Sequence, residues 1–98
     1  MKMFLLTYNV KPNTTNVEYI ETCGAFVNCF IEADSFDEAN LIARGGIEMN
    51  DWRIIELEEF KTITYDDFLD DSDKREYYEQ ALIDKEVFVF HTYPNEES

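Results

Sequence analysis

Acidic residues dominate the chemistry this sequence could perform. Asp66, Asp67, Asp70, Asp71, Asp73, Glu76 and Glu79 put seven carboxylates into fourteen residues. Carboxylates at that density can hold a cation, do acid–base work, or present negative charge to a basic partner. An EF-hand calcium loop needs alternating Asp or Asn, then a Gly, then a Glu at its twelfth position. Asp71 and Asp73 begin such a pattern, but Lys74 and Arg75 follow, no Gly comes, and Leu82 stands where the Glu belongs. Acid–base catalysis needs a pocket and a perturbed pKa, which a sequence does not display. Docking is the reading carried forward. Tyr65, Phe68 and Leu69 give inward contacts at i, i+3 and i+4, so Asp66, Asp67, Asp70 and Asp71 turn outward, roughly 5–6 Å from acidic neighbours that repel them. Lys or Arg from a partner relieves that repulsion and speeds encounter. Tyr65 and Tyr77, where exposed, are the candidate anchors. The plain alternative is a solvated helix face.

Other chemistries find less support. His91 is the one histidine, and Cys23 and Cys29 are the two cysteines. No glycine-rich elbow or nucleophile motif surrounds them. Six residues apart on one strand, the cysteines stand roughly 20 Å apart, too far for a disulfide. Reduced thiols and a cytoplasmic location are the expectation. Gly45-Gly46 lies at a helix end without a following Lys-Ser or Lys-Thr, so no phosphate cradle is read there. No cofactor and no metal are expected, and the chain is read as non-enzymatic.

The charge sets the partner class. Twenty-two acids against eight Lys and Arg give a formal charge of −14 in 98 residues. Direct binding to nucleic acid or to an anionic membrane surface is disfavoured, since both are polyanions. A basic protein is the favoured partner, and one that itself handles nucleic acid fits best. The apolar run at Met3 to Leu6 is too short for a leader core, and no window approaches a membrane span. Hydrophobic residues at 45% make the chain globular despite its charge.

The elements that must position these groups follow from periodicity. Met3 to Val10 alternates as a strand with Phe4, Leu6, Tyr8 and Val10 on one face. Lys11 to Asn16 is a loop rich in turn formers. Val17 to Thr22 is ambiguous, either extending the next strand or lying over the sheet edge. Ala25, Val27, Cys29, Ile31 and Ala33 form one face of a second strand, joined to the first by a long hairpin. Ser35 caps a helix, with Glu38 completing a capping box; its stripe is Phe36, Ala39, Ile42, Ala43 and Ile47. Gly45-Gly46 is either a C-cap or a point of close approach to the sheet, and the helix is read through to Glu48. A third strand spans Trp52 to Thr62, with Ile55 and Leu57 on one face, Trp52 and Ile54 on the other, and a bulge near Glu58-Glu59 that returns Phe60 to the core. Thr64 caps a short helix with Asp67 at its third position. Ser72 caps another with Tyr78, Ala81 and Leu82 inward. Glu86 to Thr92 is the last strand, presenting either Phe88 and Phe90 or Val87 and Val89 to the helices. Residues 94–98 are a frayed tail.

The fold class is α+β. A single domain over 1–98 is expected, as a two-layer sandwich: a four-stranded sheet with two or three helices on one face, in the order β-β-α-β-α-α-β. That arrangement leaves Met3, Leu5, Phe26, Asn28 and Phe30 on an open face too apolar for solvent. Such a patch marks an interface, so the face is a candidate homodimer surface, or holds another partner, or else lies under the Lys11–Thr22 loop.

Taken together, Ala25, Val27, Asn28, Cys29 and Ile31, then Ala39, Trp52 and Ile54, then Tyr77 to Ala81 and Val87 to Pro94, resemble a group of small acidic bacterial proteins of unassigned function. The likeness covers most of the chain and implies no activity. In size, acidity and make-up the chain is also similar to small phage or bacterial inhibitor proteins, including counter-defence and toxin immunity proteins. That second resemblance implies an inhibitor that masks its target. The alternatives kept beside it are a homodimeric accessory protein and a small enzyme or ligand-binding domain.

Overall fold

The computed structural model describes residues 1–16 and 22–94. Residues 17–21 of the ambiguous stretch and 95–98 of the expected tail therefore lie outside the described residues, while Thr22 begins one strand and Pro94 ends another. The elements are β1 (Lys2–Pro12), β2 (Thr22–Ala33), α1 (Phe36–Met49), β3 (Trp52–Ile63), a single 3-10 turn (Tyr65–Phe68), α2 (Ser72–Asp84) and β4 (Glu86–Pro94). The chain is α+β, and its four strands form one antiparallel sheet in the order β3-β1-β2-β4. β1 and β2 pair directly, from Lys2 against Ala33 to Val10 against Ala25. The second of the expected helices is only the 3-10 turn, because Asp71, the cap of α2, follows Thr64 too closely for a longer one.

Alternation along β1 splits the protein into two cores. Phe4, Leu6, Tyr8 and Val10 join Val27, Cys29 and Ile31 beneath Ala39, Ala43 and Ile47 of α1. The odd-numbered Met3 and Leu5 join Phe30, Ile63, Phe68 and Ala81 on the opposite face. Helices therefore cover both faces, and the expected two-layer sandwich is corrected to three layers. The physical reason is the second apolar face itself: Met3, Leu5 and Phe30 need cover, and the segment after β3 supplies it. Each large side chain so buried contributes about 1.5–3 kcal/mol.

α1 begins where Ser35 Oγ accepts the Glu38 backbone N–H at 3.2 Å. It runs through both glycines to Met49. Gly46 serves close approach: a Cβ there would stand 2.8 Å from Cε2 of Phe88. Gly45 has nothing within 4 Å of that position. Phe88 and Phe90 pack on the α1 side, Val87 and Val89 on the other. β3 carries two irregularities against β1. Its partners skip Glu58 and then Ile55, so Trp52, Ile54, Leu57 and Phe60 all meet the α1 face of β1. The bulge at Glu58 turns Phe60 to the α1 side, its ring centroid 4.2 Å from that of Phe36, but Phe60 stays 54% exposed at the margin of the core. The second bulge corrects the expected pairing of Ile55 with Leu57; Ile55 is left exposed. No described helix is long and apolar enough to cross a membrane.

Candidate functional site: the acidic layer

The acidic segment forms the outer surface of the layer opposite α1. Asp67 is spent on local structure, since Oδ2 accepts the Thr64 backbone N–H at 2.7 Å and so caps the 3-10 turn. Asp71, not Ser72, is the cap of α2: its Oδ1 accepts the Lys74 N–H at 3.1 Å. A carboxylate does this better than the neighbouring hydroxyl because it also complements the helix dipole. Glu79 accepts from the Tyr65 hydroxyl at 3.2 Å.

That leaves Asp66, Asp70, Asp73 and Glu76, all exposed. Asp73, Glu76 and Glu79 follow one another at i, i+3 along α2, so their repulsion is built into the helix. Neither local cation, Lys74 or Arg75, forms an ion pair with them among the described residues. Arg75 donates instead to the Leu69 carbonyl at 3.0 Å. The ion pairs among the described residues are Lys61–Glu59 at 3.8 Å and Lys85–Glu32 at 2.7 Å, neither within this segment. α2 also carries no basic residue in its last turn.

The aromatic residues of the segment divide differently from expectation. Tyr77 is half-buried, its ring 5.8 Å from Phe30. It is therefore part of the cover over the second core more than a free anchor. Tyr65 is 40% exposed and stacks edge-on to Tyr78 at 6.0 Å. Leu69 and Leu82, expected inward, are 53% and 47% exposed. α2 buries only Ala81 fully, because it packs inward through Tyr77 on Phe30 and Tyr78 on Phe68 rather than through a broad apolar stripe.

The expected open face is filled over much of its area. Met3, Leu5 and Phe30 are 4%, 7% and 1% exposed beneath α2 and the 3-10 turn, so as an uncovered surface they are corrected. Phe26 remains exposed, and Asn28 is half-buried. Outside the cover of α2 the face mixes Phe26, whose ring lies 5.6 Å from that of Tyr93, with polar groups that bond to one another. Thr7 Oγ1 donates to Asn28 Oδ1 at 2.8 Å, and the Tyr93 hydroxyl donates to Asn9 Oδ1 at 3.0 Å.

His91 pairs with Phe26 across the strands and sits on this same side of the sheet. It borders a pocket of about 180 Å³ with Asn28, Phe30, Tyr77 and the first turn of α2, including Asp71 and Asp73. Cys29 lies in the other core, and burial pushes its thiol well above the usual range. His91 and Cys29 are therefore on opposite faces. The parity of β2 and β4 could have placed His91 beside Asn28 in advance; its meeting with Asp71 depends on where α2 packs. Arg44 and Arg53 were not singled out from sequence. They border a cleft of about 310 Å³ with Asn13, Glu48 and Trp52, a juxtaposition made by the end of α1 and the start of β3.

Acids also occur elsewhere. Asp37, Glu38 and Glu48 lie on α1. On β3 a hydrogen bond shared with Glu56 holds the Glu58 carboxyl above its ordinary range. Among the described residues no group of three or more His, Cys, Asp or Glu side chains is arranged to hold a metal ion. Comparison with protein-family models, with curated proteins and with solved structures finds no match to this chain.

Proposed function

We propose that this chain is a non-enzymatic acidic interaction protein whose 3-10 turn and α2 dock against a basic protein surface and mask it. One observation carries the reading: Asp66, Asp70, Asp73 and Glu76 are exposed on one layer, and none of them has an ion-pair partner among the described residues. Their mutual repulsion is a standing cost that a cationic partner removes. A target that handles nucleic acid suits this chemistry, because its binding groove already presents Lys and Arg spaced for phosphates. The acidic layer then acts as a substitute polyanion.

A small ligand-binding or catalytic domain is the second reading, and the His91–Asp71–Asp73 pocket favours it. Pockets for drug-sized ligands span about 300–1,000 Å³, whereas this one holds about 180 Å³. It suits a single side chain of a partner better than an organic substrate.

The test is capture of partners from the source cell by the full chain at low and at high salt, with the D66N/D70N/D73N/E76Q variant alongside. Retention of a basic protein at low salt, lost at high salt and lost in the variant, is the expected result. Absence of any basic partner at low salt overturns the proposal.

A further inference from the structure

The two edges of the sheet differ in kind. β3 is broken by two bulges and carries Glu56, Glu58, Glu59 and Lys61. Bulges and charges are the devices that keep an edge strand from pairing with another chain. β4 lacks both along Val87–Phe90. It pairs without irregularity from Ile31 against Glu86 to Gly24 against Tyr93. Its four central residues are strongly β-prone and each is half-buried. No strand lies beyond it among the described residues.

We infer that β4 pairs edge to edge, antiparallel, with β4 of a second copy of this chain, giving one continuous eight-stranded sheet about a two-fold axis. A basic strand is a poor occupant, because the centre of β4, Val87–Phe90, offers it no acid and Glu86 stands only at one end. An apolar, unbulged strand is the fitting one, and β4 is itself such a strand. The side chains are self-complementary under the two-fold operation. With the axis at Val89, Phe88 faces the partner's Phe90, Val87 faces the partner's His91, and Glu86 faces the partner's Thr92. No acid meets an acid across the seam. Opposing the pairing is the charge of −14 on each copy, which salt screens over about 8 Å at physiological ionic strength. Dimerisation therefore strengthens as salt rises, opposite to docking of a basic partner, so the two ideas fail separately.

Thr92 is exposed, so charge placed there tests the seam without disturbing the core. Sedimentation equilibrium of the full chain at 50 and 500 mM NaCl is the measurement, with Thr92→Lys and Thr92→Asp, and with Thr62→Lys and Thr62→Asp on the β3 edge as controls. We expect a dimer favoured at high salt, tightened about fivefold by Thr92→Lys opposite Glu86 and weakened about fivefold by Thr92→Asp, from two cross-strand pairs per dimer. The Thr62 variants should match wild type. A monomer at both salts, or a dimer that responds equally to charges at positions 62 and 92, overturns the inference.

Discussion

The ring of Tyr77 lies 5.8 Å from that of Phe30. One contact thus joins a tyrosine of the acidic helix to the sheet face beneath it. Phe30 also meets Phe68 edge-on at 6.1 Å, and Phe68 in turn lies 6.3 Å from Tyr78. This aromatic chain carries α2, whose own buried contribution is Ala81 alone. The acidic layer is held on by rings, while Asp66, Asp70, Asp73 and Glu76 stay exposed.

The two adjacent glycines of α1 should respond oppositely to alanine. Gly45→Ala meets open space and gains helix propensity, about 1 kcal/mol of added stability. Gly46→Ala drives a methyl into the Phe88 ring, so overpacking costs about 1–3 kcal/mol against the same propensity gain. Urea unfolding of both variants gives the comparison. Equal effects of the two substitutions contradict the close packing of α1 on β4.

The thiols should be separable by reactivity. Cys23 is exposed and Cys29 is buried, and both are free. Desolvation, followed by the nearby Glu86 charge, disfavours the Cys29 thiolate, and the thiolate is the reactive form. A thiol reagent applied to the folded protein should titrate one group rapidly and a second only on unfolding. Two rapid groups in the folded protein would contradict the packing of β2 under α1.

High pH should destabilise the fold through Tyr8. Its hydroxyl donates to half-buried Asn40 at the margin of the core, and its pKa is pushed up to about 12, chiefly by burial and then by Cys29. Below pH 10 the phenol is neutral in folded and unfolded chains alike, and its favourable contribution is complete. Above pH 10 the unfolded chain ionises first, so that contribution is lost progressively up to about pH 12. Ultraviolet titration of tyrosinate in wild type and Tyr8→Phe should show one late-titrating group that the substitution removes.

The β1–β2 hairpin, both main helices and the cap at Ser35 were legible in the sequence because each rests on local rules: alternation, a 3.6-residue stripe, a hydroxyl before an apolar run; the pairings of β3 with β1 and of β4 with β2 were not. The bulge that returns Phe60 to Phe36 was legible for the same reason, as a break in alternation at Glu58-Glu59. The placement of α2 was not. Its stripe is weak, and the choice of face depends on the uncovered apolar area of Met3, Leu5 and Phe30, a property of the assembled sheet. The switch of cap from Ser72 to Asp71 was hidden too, since both residues suit the position and only the geometry after Phe68 decides. For the candidate site, the exposure of Asp66, Asp70 and Glu76 could be read from sequence; that of Asp73 came with the fold. The internal use of Asp67, Asp71 and Glu79 depended on partners that only the fold brings near.

The central claim is that basic surfaces settle on the 3-10 turn and α2 rather than on the protein's acids in general. Backbone amide chemical-shift mapping with an Arg- and Lys-rich peptide as probe, at 50 and 300 mM NaCl, tests it most directly. At low salt, shifts should concentrate at residues 65–79 and should vanish at high salt, while Asp37 and Glu38 of α1 and Glu58 of β3 stay still. Shifts spread evenly over all three acidic regions, or none at either salt, would contradict a docking role for the acidic layer.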